Sequence, residues 1–94
     1  MGMFDSFYDD KGEEWQTKAF DCRLDVFRVD DRVPDVGVQD FQVEIYHYRP
    51  AADGWTETFA TIHSGRVVEV DAARDRSLPL LDSYGGWRDS GAGR

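Results

Sequence analysis

The residues able to do chemistry in this chain are few and scattered. His63 adjoins Ser64, but nucleophilic catalysis needs a hydroxyl, an imidazole base and an orienting carboxylate brought together. Adjacent residues on a tight, exposed turn point apart, so no catalytic pair is expected there. His47 is expected to meet Glu57 across a hairpin as a hydrogen-bonded rim pair. Cys22 has only Arg23 as a cationic neighbour in sequence and reads as a small buried hydrophobe rather than an activated thiol. Asp9, Asp10, Glu13 and Glu14 place four carboxylates within six residues. A calcium loop of the EF-hand kind needs acidic ligands at alternate positions, a central glycine and a terminal glutamate, with helices on either side. This spacing fails that pattern and reads as a solvated acidic turn. His47, His63 and Cys22 lack ligand spacing as well. No catalytic residue, metal ligand or cofactor is assigned, and the chain is read as a non-enzyme.

Recognition chemistry is better represented. Tyr46, Tyr48, Arg49 and Trp55 gather at one end of the first hairpin and superficially resemble a base-stacking platform. Such platforms sit in positive grooves, and the surrounding segment supplies only Arg49 and Arg66. The chain carries 19 acidic and 11 basic side chains, a net charge of −8. Residues 1–44 hold twelve acidic and five basic groups, and the rest seven and six, so the charge is concentrated in the front half. That balance disfavours phosphate backbones and anionic lipid, so neither direct nucleic-acid binding nor a membrane is expected.

Tyrosine and tryptophan beside an arginine are also the residue types that anchor protein interfaces. The candidate partner-binding set is therefore Tyr46, Tyr48 and Arg49, with Asp30, Asp31 and Asp35 as an anionic component facing a basic protein partner. Two plainer readings compete with it. Phe4, Phe7 and Tyr8 would cover the tyrosines in a second small core, and the acidic half would be only a solubilising surface. A homodimer through an uncovered sheet edge is a further alternative. A mimic of DNA would need Asp5, Asp9, Asp10, Asp21, Asp25, Asp30, Asp31 and Asp35 to line one exposed face.

These side chains must be positioned by a β meander over residues 41–71. Three runs rich in β-branched and aromatic residues are separated by turn signals at Pro50…Gly54 and at Ser64-Gly65. Phe41, Val43, Ile45 and His47 alternate with Gln42, Glu44, Tyr46 and Tyr48. The Ser64-Gly65 turn pairs Ile62 with Val67 and Phe59 with Val70. The favoured register across the longer loop sets Ile45 opposite Phe59 and collects Trp55, Phe59, Val68 and Val70 with the aliphatic face. A one-residue slip would group Tyr46, Tyr48 and Phe59 instead.

Upstream, residues 1–8 read as a segment tucked onto the sheet, and Asp9-Asp10-Lys11-Gly12 as a turn. Residues 14–18 and 22–29 read as strands. In the latter, Cys22, Leu24 and Val26 share one face, and Phe27 and Val29 the other. Pro79 forbids a long helix near Leu78, Leu80 and Leu81, which leaves one helical turn or an extended arm anchored by leucines. The expected fold is mainly β, a small twisted antiparallel sheet of four or five strands with little or no helix. Residues 1–83 form one domain, and 84–94 a glycine-rich tail in which Trp87 is the residue able to dock. At 94 residues, with 13 aromatics and 40% hydrophobic content, a single modest core is expected. A lone cysteine excludes an internal disulfide. No apolar run has membrane-spanning length and MGMFDSFYDD lacks the order of a signal peptide, so a cytoplasmic location is expected.

The opening MGMFDSFY, Gly12, the run Glu14-Trp15-Gln16-Thr17-Lys18 and the stretch Cys22…Leu24-Asp25-Val26-Phe27-Arg28-Val29 resemble a group of small accessory proteins encoded by phages and prophages of actinobacteria. The similarity extends through Ile62-His63-Ser64-Gly65-Arg66-Val67-Val68-Glu69-Val70, where relatives carry a hairpin ending in a valine-rich strand. Many relatives place a CPxCG knuckle, which suggests a zinc ribbon, where this chain reads Asp9-Asp10-Lys11-Gly12. Only the glycine remains, so zinc is not carried over. The resemblance implies a context, a phage or prophage accessory protein in a bacterial host cytoplasm, rather than an activity. The function expected is non-enzymatic binding to a host or phage protein, whose working surface the acidic, aromatic-bearing sheet would cover.

Overall fold

The computed structural model describes residues 3–49 and 54–88. Among them lie eight strands and no helix: β1 (Asp5–Tyr8), β2 (Glu14–Thr17), β3 (Val26–Phe27), β4 (Phe41–Arg49), β5 (Gly54–His63), β6 (Arg66–Ala72), β7 (Leu80–Leu81) and β8 (Trp87–Arg88). The fold is all-β, as the alternation implies, but the sheet is larger than expected and mixed. Its order is β3-β1-β2-β4-β5-β6, with β3 parallel to β1 and β7 parallel to β4. One edge of β4 runs its whole length against β5. The other is shared, with β2 pairing at Tyr46 and β7 at Gln42 and Val43. The ladder is open, yet the chain after β3 turns back to β6. Asp30 N–H donates to Val67 O, Val67 N–H to Asp31 O and Val33 N–H to Gly65 O.

The curled sheet encloses one core. Phe7 faces Phe27 at 5.1 Å between ring centroids and Phe20 at 6.2 Å. Opposite this aromatic wall stand Phe41, Val43, Ile45, Ala60, Ile62 and Val67, none with measurable exposure. Burying each large side chain of this kind stabilises the fold by about 1.5–3 kcal/mol.

The register differs from the favoured reading. Ile45 lies opposite Thr58 and Glu44 opposite Phe59, which is the one-residue slip. The inner face of β5 is therefore Thr56, Thr58, Ala60 and Ile62, small except at its end. Small residues fit there because Phe7, Trp15 and Phe27 already fill the enclosed space from the other side. Phe59 is a half-buried residue of the outer face, not a core residue.

At the tight turn, Ser64 and Gly65 both have positive φ, 52° and 77°, as a two-residue turn matched to strand twist requires. His63 pairs with Arg66 and Ile62 with Val67. Two register shifts follow, so Phe59 pairs with Ala72 rather than Val70. These bulges, with Asp71 at φ 65°, turn Val67, Val70 and Ala72 inward and leave Val68 46% exposed.

The strand expected over 22–29 shrinks to β3, because Asp21, Cys22 and Leu24 all adopt left-handed backbone. Cys22 is half-buried rather than buried, and Leu24, Val26 and Val29 are exposed. Residues 5–8 are themselves a sheet strand. The leucine-bearing segment is an extended arm, not a helical turn: Pro79 O accepts the Gln42 N–H, and Leu81 pairs with Val43. Trp87 pairs with Leu81 and sets its ring edge-on to Phe41 at 5.6 Å. Residues 89–94 of the expected tail lie outside the described residues.

Candidate functional site

Four elements build an aromatic groove of about 610 Å³ on the outer face of the sheet. β4 contributes Tyr46, β5 contributes Trp55 and Glu57, β2 contributes Gln16, and Lys18 follows directly after it. Strand pairing fixes these positions, since Tyr46 lies opposite both Gln16 and Glu57. Phe4 closes one side, and Ser83 and Tyr84 come from the turn between β7 and β8. Trp55 is 62% exposed and Tyr84 80%. The rings of Tyr46 and Trp55 stand 5.1 Å apart at 72°, an edge-to-face corner rather than a flat platform.

The turn that presents Tyr84 is rigidly made. Asp82 Oδ1 accepts the N–H groups of Tyr84 (2.9 Å) and Gly86 (3.0 Å), and Gly85 N–H donates to Asp82 O. Gly85 sits at φ 92°, and a Cβ there would meet Ala19 O at 3.3 Å, so glycine is required. Lys18 N–H donates to Ser83 O and ties the turn to the end of β2. Burial pushes the Asp82 carboxyl up, but the Gly86 and Tyr84 N–H groups, the Arg88 charge and the Gly85 N–H outweigh it and hold it below the usual carboxylate value. Burial raises the Tyr46 phenol above its ordinary value, with Tyr84 and Cys22 adding to the rise.

The sequence-derived site residues are not brought together. Tyr46 lies in the groove. The side chains of Tyr48 and Arg49, and the loop at 50–53, lie outside the described residues. Asp30, Asp31 and Asp35 are exposed in the connection between β3 and β4. Asp31 borders a separate hollow with Asp25, Arg32 and Pro34 that shares no lining residue with the aromatic groove. These aspartates also have structural duties. Asp31 Oδ2 accepts the Arg28 N–H, Asp35 Oδ1 accepts the Gly37 N–H, and the Asp30 backbone pairs with Val67 and Arg66.

Other sequence assignments are corrected by packing. His47 lies opposite Thr56, not Glu57; it stacks on Trp15 at 4.3 Å, with its Nδ1 3.6 Å from Glu13 Oε2. Asp9 is not solvated but buried, accepting the Trp15 indole N–H and the N–H groups of Lys11 and Glu13. Burial raises its carboxyl, and these donors together with the Lys11 charge bring it below the usual value. Asp5 is wholly buried, with Oδ1 accepting the Asp25 N–H and Oδ2 having no partner. Asp5 and Asp9 therefore cannot belong to an exposed acidic row. Of the residues expected to cover the tyrosines, Phe7 is in the core, Tyr8 lies under Arg28, and only Phe4 borders Tyr46.

Sequence reading missed three features. Tyr84 is a groove residue inside the supposed tail, and its signal was the Asp82…Gly85-Gly86 turn chemistry. Asp40 lies 2.8 Å from His63 Nδ1 and also accepts the Ser64 N–H, an orienting contact at an exposed turn. Gln16 on β2, and Lys18 just after that strand, line the groove because β2 pairs with β4 at Tyr46. Among the described residues no group of three or more His, Cys, Asp or Glu side chains could hold a metal ion, and no helix is long and apolar enough to cross a membrane. No protein-family model matches the chain, and no curated protein or solved structure matches it.

Proposed function

We propose that this protein is a non-enzymatic accessory protein of an actinobacterial phage or prophage. It works in the bacterial cytoplasm by occupying the working surface of a host or phage protein. The setting rests on the resemblance of MGMFDSFY, the Glu14 to Lys18 run and the later valine-rich hairpin to such proteins. The observation that supports binding is the groove, where Trp55 and Tyr84 stand 62% and 80% exposed on a paired strand and a hydrogen-bonded turn. Large aromatic rings held out on rigid elements gain free energy when a partner covers them. The three aspartates at 30, 31 and 35 act from outside the contact, steering a basic partner at a distance that salt screens.

The decisive experiment compares capture from actinobacterial lysate by the wild type and by a folded Trp55→Ala/Tyr84→Ala double variant. A protein retained by the first and lost by the second supports the reading. Identical capture by both removes the groove from the function. Replacing Asp30, Asp31 and Asp35 by Asn keeps an acceptor oxygen for Arg28 and Gly37, and is expected to slow association with the captured partner and flatten its salt dependence. The alternative, a DNA mimic that inhibits a nucleic-acid-binding protein, has no observation in its favour once Asp5 and Asp9 are buried.

A further inference from the structure

We infer that His63 is a phosphoryl-acceptor site, whose Nε2 takes the group from a donor that carries it on nitrogen, a phosphoramidate. The inference goes beyond the binding role and uses no residue of the groove. Its first support is the imidazole itself. Nδ1 lies 2.8 Å from Asp40 Oδ1, and the side chain is 69% exposed. Among the described residues Nε2 meets no partner. A carboxylate on Nδ1 holds the ring proton there, which leaves the lone pair on Nε2, the nitrogen open to solvent. The carboxylate is itself held in place. Asp40 Oδ1 accepts the Ser64 N–H at 2.9 Å, and the neighbouring Gln39 O accepts the Gly65 N–H at 3.0 Å. The hairpin turn and the connection before β4 thus fix the two side chains against each other.

The second support is a row of cations. His63 pairs with Arg66 across the turn, and Arg66 forms an antiparallel bridge with Arg32. Partners directly opposite on antiparallel strands project to the same face, about 4.5–5.5 Å apart at Cβ. An imidazole and two guanidinium groups therefore stand side by side. Arg66 donates through Nη1 to Asp30 O, a carbonyl, and among the described residues neither arginine is paired with a carboxylate. The guanidinium fork matches phosphoryl oxygens. The chain's charge of −8 opposes an approaching anion, so this local field is what admits one. In the step, Nε2 attacks phosphorus, the N–P bond of the donor breaks and ammonia leaves. The ring then carries the phosphoryl group on Nε2, its proton on Nδ1 and a positive charge, which the Asp40 carboxylate stabilises.

The test treats the full chain, labelled with nitrogen-15, with potassium phosphoramidate, beside an acetylated and amidated peptide of residues 60–67. The peptide reports what an exposed histidine does in the same local sequence without Asp40. Before treatment, the neutral His63 ring of the folded chain is expected to carry its proton on Nδ1. After it, the phosphoryl group is expected on Nε2, read from phosphorus–nitrogen couplings, and gained about 3- to 10-fold faster than by the peptide. Asp40→Asn keeps an oxygen for the Ser64 N–H but removes the charge, and should bring the rate back toward that of the peptide. Arg66→Gln should slow transfer by a smaller factor. A folded chain that reacts no faster than the peptide overturns the inference. So does a phosphoryl group on Nδ1, a neutral ring protonated on Nε2, or an Asp40→Asn variant as fast as the wild type. The comparison of wild type with peptide decides the matter even if a variant fails to fold.

Discussion

Within one strand, the outer face of β4 makes two different surfaces. At Gln42 and Glu44 it is covered by the C-terminal arm, and at Tyr46, the next outward position, it opens into the groove. The cover is not held by apolar contact alone. Gln42, 1% exposed, donates through Nε2 to Thr61 Oγ1 and Ala73 O and accepts at Oε1 from Arg74 and the Asp75 N–H. Glu44 Oε1 accepts the Ser83 N–H at 3.3 Å and lies 3.6 Å from Arg88. A buried amide with every bond satisfied fixes the arm in one place, because any displacement would strand a desolvated polar group. In the open half the same alternation brings out Tyr46, and beside it Trp55 on β5 and Tyr84 on the turn between β7 and β8 stand 62% and 80% exposed. The difference teaches that an outward position on a sheet is neither core nor surface until another segment chooses to lie on it.

The largest way to break this contrast is Gln42→Ala. It strands the Thr61 hydroxyl, Ala73 O, Arg74 and the Asp75 N–H beneath the arm, and should cost about 2–4 kcal/mol in urea denaturation. A loss of only a few tenths would mean that the arm is held by Leu80 and Leu81 without the amide.

Phe59→Ala should cost less, about 1–2 kcal/mol, because the ring is half-buried and lies under Arg74 rather than within the core. Phe41→Ala in the same assay is the control for a fully buried ring and should cost about 3–5 kcal/mol. Equal losses would contradict the register with Glu44 opposite Phe59.

In the open half, Trp55→Ala and Tyr84→Ala should each shift stability by less than about 1 kcal/mol, since surface substitutions away from packed features move stability little. A larger loss at either position would show that the groove is part of the scaffold.

The smallest effect concerns pH. The Asp82 carboxyl is held below its ordinary value, so the ionised form is favoured by folding. The stability it contributes is full above the unfolded value near 3.8 and is lost as pH falls through the folded value. Acidification should therefore speed amide exchange at Tyr84 and Gly86 relative to β4, once the intrinsic pH dependence of exchange is removed. Asp82→Asn should abolish that excess pH dependence. An unchanged profile in the variant would sever the link between this carboxylate and the turn that presents Tyr84.

Local chemistry in the sequence determined several parts of this fold by itself. Ser64-Gly65 specifies its turn because two consecutive positive φ angles admit few residues, and that turn alone sets His63 opposite Arg66. The alternation from Phe41 to His47 specifies a strand, and Pro79 an arm without a long helix. The all-β class follows from these. Alternation is silent, however, on which of two registers joins β4 to β5, since both keep period two. Tertiary packing decided that: aromatic rings from β1, β2 and β3 fill the enclosed space, so small residues of β5 turn inward and Trp55, Glu57 and Phe59 turn out. Tyr46 was legible as a candidate from its residue type and neighbours. Tyr84 was not, because its place beside Tyr46 depends on β7 pairing with β4, on Lys18 holding Ser83 and on Asp82 closing the turn. Burial of Asp5, Asp9 and Gln42 was hidden for the same reason. A polar side chain goes inside only where distant backbone groups come to meet it, and the local sequence does not encode that meeting.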